Sequence, residues 1–188
     1  MRRVALIGLH GSGKGAAGRA LRSLGYVHWS IGDIRRRLWT GDLSDDLPAL
    51  LVAAVRRAKA GSPLPATAVR AILSAAERQP RCAIDGVPDG VEHVACFDAG
   101  WTVLHIRCPE DLRQSRLRQR ALESARLWID GVNSPRDARL ASTIAALPPA
   151  IVRTIDNDGS LDDLRDRIVT SLIDGSVPGV ACVEQVVP

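Results

Sequence analysis

Five short segments are almost continuously apolar: "RVALIGL" at the start of the chain, then "YVHWSI", "RCAIDGV", "WTVLHIRC" and "AIVRTIDN". Between them apolar residues recur at helical spacing, as in "KGAAGRALRSL" and "LDDLRDRI". Strands that are apolar along their whole length are covered on both faces, and strands alternating with helices build a mostly parallel sheet. The pattern predicts an α/β fold of three layers around a five-stranded sheet. Ligands of such sheets bind beyond the carboxyl ends of the strands, where Gly8, Asp33, Asp85 and Asn157 emerge.

Two stretches break the alternation. Residues 32–79 carry two or three helical pieces with no strand between them, interrupted by "GDLSDD" and "GSPLP", and read as a helical insertion. Residues 121–137, "ALESARLWIDGVNSPRD", form an irregular segment between helices and read as a short lid. The tail, 176–188, has Gly and Pro punctuation without a clear period; residues 1–175 make the domain. No internal repeat is present.

At 188 residues the chain suits one domain, and 46% hydrophobic with 24% charged residues is the balance of a globular protein. No apolar run approaches the 18 to 20 or so residues of a spanning helix, so a cytoplasmic location without membrane contact is expected. Four scattered cysteines with no C-x-x-C pair read as structural thiols. The net charge of +4 rests on arginine, since Lys14 and Lys59 are the only lysines. The guanidinium fork suits bidentate contacts to phosphate.

One of those lysines lies in "GLHGSGKG", Gly8 to Gly15, which matches G-x-x-x-x-G-K directly after a strand and before a helix. Glycines let the backbone turn its N–H groups inward around a phosphate, and the positive end of the following helix points to the same place. Gly11, Ser12, Gly13, Lys14, Gly15 and Ala16 are therefore the expected donor-binding residues, with Lys14 on the outer phosphates of a nucleoside triphosphate. Gly15 stands where many such loops have the Ser or Thr that touches Mg²⁺. Metal then has to be organised by phosphate oxygens, water and a carboxylate from another strand, for which Asp85 at the end of an apolar run is the candidate.

The form G-S-G-K-G resembles the loop of adenylate kinases and related P-loop nucleoside monophosphate kinases, with some likeness to archaeal adenylate kinase-like and dephospho-coenzyme A kinase-like proteins. Further segments resemble the same family. "SIGDIRRRL" places Asp33 and Arg36 where the family contacts the acceptor, and "AGSPLPATAV" places Leu64 and Val69 where it flanks the acceptor's base. "RLRQR" offers Arg116 and Arg120, and "SPRD" offers Arg136, as the arginines that close over the transferring group. "IDNDGSL" puts Asn157 and Gly159 beside the donor base. In "IDGVPDG", Asp89 replaces the arginine that the family uses on the acceptor's phosphate.

The resemblance implies a P-loop NTPase fold and an ATP-dependent kinase. ATP is the donor and Mg²⁺ the cofactor, held through water by Asp85; the acceptor is a nucleoside or deoxynucleoside monophosphate. Positioning and charge neutralisation do most of the work of phosphoryl transfer. Asp89 supports an alternative, a kinase acting on a hydroxyl of a nucleoside-like metabolite or a modified nucleic-acid base, with Asp33 or Asp89 as base; nucleic acid enters as a partner only there. A third reading, from Ala16 and Asp89, is a nucleotide-binding switch without turnover. Neither the acceptor nor the oligomeric state is legible in the sequence.

Overall fold

The computed structural model describes residues 2–41, 47–56, 62–98, 100–123 and 135–174. In chain order the described elements are β1 (Arg2–Ile7), α1 (Lys14–Ser23), β2 (Val27–Ser30), α2 (Ile31–Thr40), α3 (Ala49–Arg56), α4 (Ala66–Glu77), β3 (Arg81–Asp85), β4 (Trp101–Arg107), α5 (Glu110–Glu123), α6 (Pro135–Ala146), β5 (Val152–Asp156) and α7 (Leu161–Asp174). A 3₁₀ turn (Val91–Cys96) lies between β3 and β4, and a shorter one (Pro149–Ile151) precedes β5. The five strands, all parallel, run in the order β2-β3-β1-β4-β5.

Alternate residues of each strand feed two separate cores. Val4 and Leu6 of β1, Ala83 of β3 and Leu104 and Ile106 of β4 pack with α1 and α7. Ala5, Ile7, Cys82, Ile84, Trp101 and Val103 pack with α2, α3, α4 and α6. This double coverage is why the strands read as continuous apolar runs rather than alternating ones. Cys82 sits in the second core, and burial pushes its thiol pKa up to about 12. Cys82, Cys96 and Cys108 are free thiols. Among the described residues no helix is long and apolar enough to cross a membrane.

Among the described residues, α2, α3 and α4 occupy the stretch between β2 and β3 where the sequence shows no strand. Most of the segment read as a lid, 124–134, and the tail read as 176–188 lie outside the described residues.

Helix α1 approaches β2 closely at Gly18, where a Cβ would overlap the His28 ring. Alanine in place of glycine gains up to about 1 kcal/mol of helix propensity, whereas overpacking a core costs about 1–3 kcal/mol. The clash is with a nearly buried ring, so the second effect should win. Gly18→Ala is expected to unfold at lower urea than the parent, and the double variant Gly18→Ala/His28→Ala to recover part of the loss. A single variant more stable than the parent would contradict this packing.

Candidate active site

Strand order places the site. Asp85 pairs in register with Leu6, two residues before Gly8, so the end of β3 opens beside the root of the loop that joins β1 to α1. Gly13, the residue before α1, has φ 102° and carries no side-chain cap. A Cβ there would overlap the Asn157 amide, so the position requires glycine both for its backbone and for its neighbour.

The loop is held from several sides. Asn157, 3% exposed after β5, donates from Nδ2 to the Ser12 carbonyl at 2.8 Å, and its own N–H donates to the Arg107 carbonyl at 2.7 Å. Arg113 of α5, 1% exposed, donates from Nη1 to the His10 carbonyl at 3.0 Å. Its Nε and Nη2 grip both oxygens of Glu110 at 2.7 and 2.6 Å. The Arg113 pairing holds the Glu110 carboxyl below the usual carboxylate range. Asp137, in the first turn of α6, accepts the His10 N–H at 3.0 Å and lies 3.0 Å from His10 Nδ1. Burial pushes its carboxyl pKa up, but the His10 contacts and the Lys14 charge outweigh burial and hold it below the ordinary value.

Lys14 donates from Nζ to the carbonyls of Gly8 at 2.6 Å and Leu9 at 2.8 Å, so its ammonium lies along the rim of the loop. Ser12 is 1% exposed, and its buried Oγ has no hydrogen-bond partner. Gly11 is buried in the turn, while Gly15 and Ala16 open α1. A cradle lined by glycine, with its carbonyls tied from behind and an ammonium at its rim, fits the phosphates of a nucleotide.

Asp85, 8% exposed, accepts from Ser30 Oγ at 3.2 Å and lies 3.2 Å from His28 Nε2. Its carboxylate and the Ser30 hydroxyl are the hard oxygen groups that suit Mg²⁺. Among the described residues no cluster of three or more His, Cys, Asp or Glu could cage a metal. Such an ion would arrive with phosphate and water as its remaining ligands. His28 was not among the residues singled out in the sequence, because a histidine inside an apolar run gives no local sign of a partner 57 positions away.

Arg116 reaches the loop: its Nη1 donates to the Asn157 carbonyl at 3.4 Å and to Cys108 Sγ at 3.3 Å, and it lies close to Gly13. Arg120, one turn further along α5, is exposed. Arg113, one turn earlier on the same helix, differs from both: its guanidinium is buried and committed to Glu110 and the loop. The side chain of Arg136 lies outside the described residues. Asn157 spends its amide on the loop, and Gly159 is exposed beside Asp163, which accepts the Ser160 N–H at the start of α7.

On the acceptor side the structure rearranges several expectations. Ser30 caps α2, accepting the Asp33 N–H at 3.4 Å, so the Asp33 carboxylate is not spent on the cap. Asp33 instead pairs with Arg36, and both are exposed. Leu64 and Val69 are 1% and 0% exposed and lie within the core. Asp89 is 5% exposed and turned inward, its Oδ1 3.0 Å from Nδ1 of the fully buried His93. His93 Nε2 lies 2.7 Å from the Leu64 carbonyl, which has only a proton to accept. The ring thus ties the helical insertion to the loop after β3. Arg139 of α6 donates to the Asp89 carbonyl at 3.4 Å, bringing a guanidinium to the place where the sequence shows an aspartate.

Known structures share this architecture at low identity. Shikimate kinase from Aquifex aeolicus is 16% identical, with a TM-score of 0.57 over 94% of this chain and 99% of its own. Shikimate kinase from Acinetobacter baumannii, in complex with shikimate, is 18% identical, with a TM-score of 0.56 over 94% and 96%. A sugar kinase from Janibacter sp. HTCC2649 is 16% identical, with a TM-score of 0.54 over 92% and 95%. The chain shares the three-layer α/β fold of these proteins. No protein-family model matches the sequence, and no curated protein does.

The buried His93 makes a pH prediction. Burial alone would lower its pKa, but Asp89 and the Leu64 carbonyl together raise it above the ordinary 6.5. The folded protein therefore binds this proton more tightly than the unfolded chain. The stabilisation is complete below about pH 6.5 and is lost as pH rises through the folded pKa. Urea titrations across that window should show stability falling with pH, and His93→Gln should flatten that part of the slope. An unchanged slope in the variant would assign it elsewhere.

Proposed function

We propose that this chain is an ATP-dependent phosphotransferase for a small acceptor, with a nucleoside or deoxynucleoside monophosphate as the acceptor that its motifs favour. One observation carries the reading: a glycine-lined loop with Lys14 at its rim stands next to the buried Asp85 at the ends of adjacent strands. Lys14 and the loop N–H groups would hold the outer phosphates of ATP. Arg116, beside Gly13, would meet developing charge on the transferring group, with Arg120 and Arg136 closing from α5 and the lid. Arg36 would align an anionic acceptor once its contact with Asp33 is exchanged. When bound, Mg²⁺ would neutralise phosphate oxygens, with Asp85 and Ser30 orienting its water.

Inward-facing Asp89 supports the monophosphate acceptor. Paired with His93, it does not present a bare anion to an incoming phosphate, and Arg139 adds positive charge nearby. A second reading, phosphorylation of a hydroxyl on a small metabolite, is favoured by the closed positions of Leu64 and Val69, whose side chains are buried in the core. The fold shared with shikimate kinases and a sugar kinase is compatible with it. Asp33, the exposed carboxylate at the start of α2, is the base that reading needs.

Purified protein with ATP and Mg²⁺, offered nucleoside monophosphates in one panel and hydroxy acids and sugars in another, separates the two. One strongly stimulating acceptor should appear, and Lys14→Ala should reduce its turnover by about 100-fold or more with the fold intact. An unchanged rate in the variant would contradict the site. Two flat panels with intact ATP binding would turn the account toward a nucleotide-binding switch.

A further inference from the structure

His28 plays no part in the machinery proposed above, yet its side chain is only 7% exposed and its Nε2 lies 3.2 Å from Oδ2 of Asp85. Strand pairing dictates the meeting. β2 and β3 are parallel, with His28 opposite Ala83 and Ser30 opposite Asp85. Residues two apart on a strand share a face, and Ala83 packs toward α1, so His28, Ser30 and Asp85 all stand on the α1 side of the sheet. Asp85 takes the Ser30 hydroxyl on Oδ1 and meets the ring at Oδ2. An ionised carboxylate only accepts, so Nε2 carries the hydrogen of this contact, and each oxygen keeps a second lone pair for water. The terminal torsion of an aspartate is soft. One hydroxyl on Oδ1 would leave the carboxylate plane loosely set, and the ring on Oδ2 fixes it. The ring is itself held in place, because Gly18 of α1 lies against it: a Cβ there would overlap Cε1, Nε2 and Nδ1.

We propose that His28 is a positioning residue: wedged between Gly18 of α1 and Asp85 of β3, it fixes the plane of the carboxylate and so the place of the water through which Asp85 would hold Mg²⁺. The inference deepens the kinase reading and rests on its donor and metal halves, with no demand on the acceptor. His28 acts through Asp85 and touches neither nucleotide nor metal. Partners of this outer kind set the orientation of the groups that do hold a metal or its water. The wedge also has a second consequence. Because α1 grows directly out of the phosphate loop, a ring packed between α1 and Asp85 sets the spacing between the phosphate cradle and the carboxylate that would serve the metal. A glycine at 18 and a histidine at 28 are then two halves of one contact, and loss of either should be felt at Asp85.

Mn²⁺, whose free form is counted by electron paramagnetic resonance, stands in for Mg²⁺ in titrations of the full chain with ADP bound. The parent should bind Mn²⁺ more tightly than ADP alone does, and Asp85→Asn should lose that excess. His28→Ala should weaken Mn²⁺ binding by about tenfold while ADP without metal binds as it does to the parent. His28→Gln, whose amide donates from nearly the same place as Nε2, should recover most of the loss. Gly18→Ala, which displaces the ring, should weaken Mn²⁺ binding as well, yet add nothing in the His28→Ala background. A ring that merely fills space would give no rescue by glutamine and no such coupling. Parent-like Mn²⁺ affinity in His28→Ala overturns the inference; should that variant fail to fold, parent-like affinity in Gly18→Ala overturns it instead. An Asp85→Asn variant that keeps the parent's Mn²⁺ affinity overturns the metal assignment, and a parent that binds no ADP overturns the donor reading. This inference falls with either.

Discussion

The 2.8 Å hydrogen bond from Asn157 Nδ2 to the Ser12 carbonyl sets the shape on which the rest of the site depends. A loop can turn its amides toward a phosphate only if its carbonyls find partners elsewhere, because buried backbone groups do not go unpaired without cost. Here β5 supplies Asn157, α5 supplies Arg113, and Lys14 bends back to the carbonyls of Gly8 and Leu9. Glycine at 13 follows from the same contact, since the amide occupies the space of a side chain. A loop so held is formed before any ligand arrives, and preorganisation of this kind is what the proposed phosphate-binding role requires of backbone dipoles.

Charge is distributed around this loop in paired form. The buried Arg113 is matched by Glu110, Asp137 by His10, Asp85 by Ser30 and His28, and Asp89 by His93. Pairing lets the sheet's carboxyl ends carry many ionisable groups at low exposure. The pair Asp33 and Arg36, by contrast, is exposed, as the proposed acceptor-side role requires.

The loop and the sheet were legible because both are written in consecutive residues. Gly8 to Gly15 carry their spacing on the surface of the sequence, and two-sided burial makes each strand an unbroken apolar run. Asp85 was legible for the same reason, as the polar end of such a run. Asp89 was readable as a residue but not in its direction, which a 3₁₀ turn decides by bringing His93 against it. The clamp on His10 joins positions 127 residues apart, and no periodicity marks such a pair. Arg113 looked like its neighbours Arg116 and Arg120 on one helix, and only packing against the loop distinguishes it. Leu64 and Val69 have the same apolar character whether they line a ligand or fill a core.

Calorimetric titration of ADP into the parent protein and Asn157→Ala tests most directly whether a preassembled loop underlies the site. Removing the amide leaves a buried carbonyl unsatisfied, at a cost of about 1–3 kcal/mol that binding would have to recover. The account predicts ADP affinity weaker by about tenfold or more, with the variant still folded by circular dichroism. Equal affinity in a folded variant would contradict it, because the loop would then hold its shape without the contact on which the site is argued to rest.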